Sequence, residues 1–191
     1  MLTAGCWWPP GGGFQQLASS IQPPAYCPTM RKSRFFWPIL GTLVLADCST
    51  KELVQTALTG NPGPHPLVGD WLRVTLAYNP GAALNFSFGG ASRVVFGAIA
   101  ATAIVGLLLL YRRTPPDARL RAVALALVAG GALGNLLDRL RSPLGVVDFI
   151  DVGIGDARFW TFNVADVGVT VGAVLLAMVL WREENPAEER E

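Results

Sequence analysis

Four apolar stretches divide this chain, and polar residues gather at one end of several of them. Residues 94–111 carry no charge, and a hydrocarbon core takes roughly 20 helical residues to cross. Residues 122–137 are nearly as clean and run into Asp138-Arg139. Residues 35–46 are apolar and extend to 53 only by admitting Asp47, Ser49, Thr50 and Lys51. Residues 167–181 are uncharged but short unless Asn163 and Asp166, just before them, are included. One short apolar run is compatible with a buried helix in water; four in so small a chain argue for a membrane bundle. The pattern predicts a membrane all-α fold of four transmembrane helices.

The segment between the first two spans reads differently. Residues 71–78 alternate loosely and are rich in β-branched and aromatic types, as a short strand would be. Asn79-Pro80-Gly81 marks a turn, and residues 84–88 are expected to return as a second strand. The expectation is a small extracytoplasmic β platform between spans one and two, suited to an elongated peptide.

Basic residues orient the spans. Arg31, Lys32 and Arg34 precede the first, Arg112, Arg113, Arg119 and Arg121 join the second to the third, and Arg182 follows the fourth. These regions share a side, which puts both termini in the cytoplasm. Residues of about 54–92 and 139–162 fall outside, where Arg73, Arg93, Arg141 and Arg158 are sparser and mixed with Asp70, Asp151 and Asp156. Within the spans, Gly130-xxx-Gly134 and Gly168-xxx-Gly172 have the small-residue spacing that lets helices approach closely, here inside the bundle.

Composition agrees with lipid as solvent. Of 191 residues, 51% are apolar and 15% charged, against about a quarter charged in an ordinary soluble domain. A net charge of +1 without a basic-aromatic stripe leaves no case for nucleic acid. Cys6, Cys27 and Cys48 lack the spacing of a disulfide framework or zinc site and read as unpaired. His65 lies in a turn-rich, proline-rich stretch and reads as a solvent-facing loop residue. Residues 1–33 are a glycine- and proline-rich extension without the features of a signal peptide. It is expected to be disordered, or untranslated upstream of a start at Met30. The bundle occupies 34–182, and 183–191 form an acidic cytoplasmic tail.

The candidate chemistry lies in acidic residues beside the spans. Asp148 sits in Gly145-Val146-Val147-Asp148-Phe149-Ile150 and Asp166 in Phe162-Asn163-Val164-Ala165-Asp166. A carboxylate at a bilayer boundary is costly and usually marks chemistry or ion movement. Two of them together suggest a pair sharing one proton, which supplies an acid and a base at once. Three further phrases accompany them: Asp47 through Lys51, Asn79-Pro80-Gly81, and Gly134-Asn135-Leu136-Leu137-Asp138-Arg139. Asp47 and Lys51 are four apart, the spacing of an ion pair on one helix face, and read as structural. Asn135 and Asp138 share a helix face and are expected to hold the pair in place and line the pocket. Arg139 has several options: substrate carbonyls, a lipid phosphate, Asp138 or Asp47. Asp151 and Asp156 read as solvated. The competing class is a small transporter whose membrane acids relay protons.

The joint order of these phrases over roughly residues 34–181 closely resembles the lipoprotein signal peptidase family, also called signal peptidase II. The resemblance implies a bacterial membrane aspartic endopeptidase. Such an enzyme removes signal peptides from prolipoproteins on the N-terminal side of a diacylglyceryl-modified cysteine. Its implied seat is the cytoplasmic membrane, with the active site at the outer face. Asp148 and Asp166 fall on the family's catalytic pair. Asp47, Lys51, Asn79, Asn135, Asp138, Arg139 and Asn163 fall on its supporting or substrate-binding positions. No metal or organic cofactor is implied, the partners are diacylglyceryl-modified prolipoproteins and membrane lipid, and the chain is expected to act as a monomer. Leu84 stands where the family usually has an aromatic residue, and Pro80 where it has a small polar one.

Overall fold

Each apolar stretch lies within one long helix of the computed structural model, which describes residues 30–81 and 88–185. The helices are α1 (Met30–Leu58), α2 (Ser92–Arg113), α3 (Arg119–Arg141) and α4 (Val164–Glu184). Among the described residues, α2, α3 and α4 are long and apolar enough to cross a membrane. α1 is longer, at 29 residues, but its apolar middle is bracketed by Arg31, Lys32 and Arg34 on one side and Asp47, Lys51 and Glu52 on the other.

α3 is the central helix, with α1, α2 and α4 packed around it. Its glycines make that possible. A Cβ on Gly130 would meet Leu43 and Leu40 of α1, and one on Gly134 would lie 2.6 Å from Asp47 Oδ2. Gly168 is pressed by Leu43 and Gly172 by Leu127 and Val128. Both small-residue motifs therefore face neighbours within the bundle. At the far end, Lys32 closes α2 by donating from Nζ to the carbonyls of Tyr111 at 2.8 Å and Thr114 at 2.5 Å. A cation there satisfies carbonyls that the helix leaves open. Phe36 stacks on Tyr111 at 3.9 Å between centroids, in a core completed by Leu125, Ala126 and Ala129.

At the other end lies an antiparallel sheet of order β1-β2-β3-β4, from β1 (His65–Val68), β2 (Leu72–Asn79), β3 (Val146–Ile154) and β4 (Ala157–Arg158). This corrects the expected platform. β2 matches the predicted strand, but its partners are β1 and β3. Two strands of the sheet thus come from the connection between α3 and α4. Val146, Val147, Asp148 and Phe149 are all buried, so no polar-apolar alternation betrays the strand in sequence. Residues 84–87 of the expected return strand, with Leu84, lie outside the described residues, and Phe88 belongs to no strand. Residues 1–29 of the N-terminal extension and 186–191 of the acidic tail also lie outside them. His65 opens β1, its Nε2 2.9 Å from the Asn61 carbonyl.

Gly145 lets the chain turn from α3 into β3. Its φ is +95°, and a Cβ there would come 2.6 Å from Pro80 Cα and collide with the Asn79 carbonyl. A side chain would push β3 off β2 at the level of Asp148.

Candidate active site

Asp148 lies in β3 opposite Ala77 of β2, and Asp166 lies in the first turn of α4. Asn163, fully buried, touches both. It is the N-cap of α4: its side chain accepts from Asp166 N at 3.0 Å, and Asp166 Oδ2 accepts from Asn163 N at 3.1 Å. This reciprocal capping box satisfies donors that a helix start leaves open. From its other end Asn163 Nδ2 donates to Asp148 Oδ1 at 2.7 Å. One residue thus donates to both carboxyls, from its side chain to Asp148 and from its backbone N–H to Asp166.

Each acid has a second amide. Asn79 Nδ2 donates to Asp148 Oδ2 at 3.2 Å, while Asn79 Oδ1 accepts from Gly81 N at 3.0 Å, which fixes the amide's direction. Asn135 Nδ2 donates to Asp166 Oδ1 at 2.8 Å. Asn135 Oδ1 in turn accepts from Lys51 Nζ at 2.9 Å.

Lys51 extends the network. Its Nζ lies 2.7 Å from Asp47 Oδ2 and 2.8 Å from Asp138 Oδ2, with the lysine 2% and Asp47 0% exposed. An ammonium has three protons, and these three contacts use them. Asp47 Oδ1 accepts from Ala165 N at 2.9 Å, and Asp138 Oδ2 from Val147 N at 3.1 Å. The ion pair read from sequence is present, and it also reaches α3, one amide away from Asp166. Arg139 donates from Nη1 to the Asn135 carbonyl at 3.0 Å. Its Nε is buried without a partner among the described residues, and its charge is felt by Asp166, Asp148 and Asp138.

Burial and then the nearby charge of Asp166 push the Asp148 carboxyl up to about 6, against the pull of Asn163, Asn79 and Lys51. A carboxyl so placed keeps a proton well above the usual carboxylate range. Beside Asp166 opens a groove of about 280 Å³ lined by Phe159, Phe162, Asp166, Val167, Thr170 and Val171. Its aromatic wall was not read from the sequence as part of a site. The signal was the aromatic cluster before α4, which is frequent at membrane interfaces.

Asp151 is a second correction. It is 7% exposed rather than solvated, with Arg158 Nη2 at 2.8 Å and Arg73 Nε at 3.1 Å. Burial disfavours its charge, but hydrogen bonds from Arg158, Arg73 and Thr75 outweigh that and hold its pKa below the ordinary value. The sequence misled because both arginines are distant or across a hairpin. Among the described residues no cluster of three or more His, Cys, Asp or Glu could hold a metal.

Two linked acids, one buried with an elevated pKa and the other opening onto an apolar groove at the end of a helical bundle, are the chemistry of an aspartic peptidase working on an apolar substrate. The model of the family signal peptidase (SPase) II matches residues 39–182. The lipoprotein signal peptidase of Ectopseudomonas mendocina is 42% identical over 160 residues, covering 80% of this chain and 92% of the relative. That of Moorella thermoacetica is 38% identical over 154 residues, covering 80% and 95%. A solved bacterial membrane enzyme, determined by the in meso method at 2.3 Å, superposes with a TM-score of 0.70 at 29% identity, covering 81% of this chain and 92% of the other. The chain belongs to the signal peptidase II family.

Proposed function

We propose that this chain is a membrane aspartic endopeptidase that removes signal peptides from prolipoproteins, cutting on the N-terminal side of a diacylglyceryl-modified cysteine. Its catalytic residues are Asp148 and Asp166. The observation that carries this is the buried Asn163, which donates to both carboxyls, from its side chain to Asp148 and from its backbone to Asp166, in a chain whose relatives are lipoprotein signal peptidases.

Hydrolysis needs a base to take a proton from water as it attacks the scissile carbonyl, and an acid to protonate the leaving nitrogen. The two carboxyls share one proton and exchange these roles. Asn163, Asn79 and Asn135 fix their orientation. Lys51, with Asp47 and Asp138, anchors that amide layer to α1 and α3. Arg139, with a free Nε and positive charge beside the pair, is placed to hold substrate carbonyls or steady the oxyanion. Carboxyls and water suffice, so the reaction calls for no cofactor.

All four helices are taken to span the bilayer, with both termini cytoplasmic and the sheet and acids at the outer face. The signal peptide enters laterally from lipid, its apolar side chains passing along the groove between Phe159 and Val171. The chain acts as a monomer, its glycine motifs being spent within the bundle. The direct test is incubation of the purified protein with a lipidated preprotein. The wild type should cleave it, and Asp148→Asn and Asp166→Asn should each abolish cleavage; full cleavage by either variant sinks the proposal.

A further inference from the structure

The end of the bundle away from the aspartates holds a second cavity, of about 480 Å³. It opens between the first turn of α3 and the last turns of α4, with Arg119, Leu120, Arg121, Val179 and Arg182 in its lining. Asp166 and Arg182 both lie on α4, and at 1.5 Å per residue the helix between them puts this cavity roughly 24 Å from Asp166, most of the thickness of a bilayer's hydrocarbon core.

The lining is divided by chemistry. Leu120 and Val179 give an apolar wall, and three arginines gather at the rim against the carboxylates of Asp117 and Glu183. Arg121 Nη1 pairs with Glu183 Oε2 at 3.0 Å, clamping α3 to α4, and its Nε is buried without a partner among the described residues. Arg119 is held over the Phe35 ring at 5.8 Å, the geometry of a cation–π contact. Arg119 and Arg182 are exposed.

We propose that this cavity binds the head group of an anionic phospholipid. Arg119 and Arg182 hold the phosphodiester, Arg121 Nε gains the acceptor it lacks, and Leu120 and Val179 cover the first carbons of the acyl chains. Basic pockets between membrane helices take such head groups. A free anion would leave the apolar wall unused, whereas a lipid at the end of two apolar helices satisfies both parts of the lining. The site lies across the membrane from the acids and does not depend on their role.

The test uses the full-length protein in mixed micelles, with bound lipid counted by native mass spectrometry. The wild type should retain phosphatidylglycerol about tenfold over phosphatidylcholine. One arginine in contact with the bound head group changes its affinity about fivefold, so Arg119→Gln with Arg182→Gln should lower retention roughly 25-fold. Arg112→Gln with Arg113→Gln, at the same level but outside the lining, should change it less than about twofold. Circular dichroism would verify that both variants keep their helices. Soluble glycerol phosphate should not displace the lipid. Equal losses in the two double variants, no preference in the wild type, or complete displacement by glycerol phosphate would overturn the assignment.

Discussion

Asn163 serves the helix with one end of its side chain and Asp148 with the other, and substitutions separate these roles. Serine keeps an acceptor for the N-cap but has no amide to give Asp148; alanine has neither. Both Asn163→Ser and Asn163→Ala should lower cleavage about a hundredfold or more, the scale of acid–base catalysis. Alanine should cost about 1 kcal/mol more stability than serine, the worth of a cap. Unfolding in detergent and a cleavage assay on both variants would check this. Lys51 is the opposite case, a buried charge paired with a fully buried Asp47 and a partly buried Asp138. Lys51→Met leaves Asp47 and Asp138 without a counter-ion and should destabilise by about 3–5 kcal/mol.

The elevated pKa of Asp148 has a sign that can be followed in solution. A carboxyl raised from 3.8 to about 6 favours the folded state when protonated. That stability is fully present below about 4 and is lost as pH rises through about 6, amounting to about 3 kcal/mol. Stability of wild type minus that of Asp148→Asn should therefore fall between pH 4 and 7 and stay level above. In kcat/KM, which reports the free enzyme, the alkaline limb should begin near the same value. A rate unchanged from mild acid to strong alkali would contradict a shared proton.

Among the elements, the helices were legible, but of the sheet's four strands only β2 was. Residues 94–111, 122–137 and 167–181 announce α2, α3 and α4 because lipid-scale apolar length needs no tertiary context. β2 shows in Trp71 through Tyr78 because one face is partly exposed. β3 stayed hidden because its first four residues are buried on both sides, and Asp148 then reads as a flank of an apolar run. Burial of Asp151 was hidden for a related reason, since its partner Arg73 comes from β2, beyond any local window. The candidate site itself was legible as an ordered set of phrases, but the Asn163 bridge and the threefold contact of Lys51 required coordinates. Packing of α3 on α1 offers an element-level check. Gly134 has no room for a side chain beside Asp47, so Gly134→Leu should cost about 1–3 kcal/mol through overpacking. The same change should also part Asp47 from Ala165, seen as lost activity beyond the stability effect.

For the whole molecule, the prediction concerns sidedness. Single cysteines at Asp156 and Glu183, in a chain freed of its own cysteines, should label differently with a membrane-impermeant maleimide. The first should react in intact spheroplasts and the second only after permeabilisation; the reverse pattern would invert the proposed topology. The polar network draws on α1, β2, β3, α3 and α4 at once, from Asp47 to Asp166. A nascent polypeptide whose final helix is still within the ribosome carries Asp148 but not its opposite number, nor the amide that aims it. With the proposed pair split in this way the protease stays silent throughout synthesis, because completing insertion is itself the act of arming it.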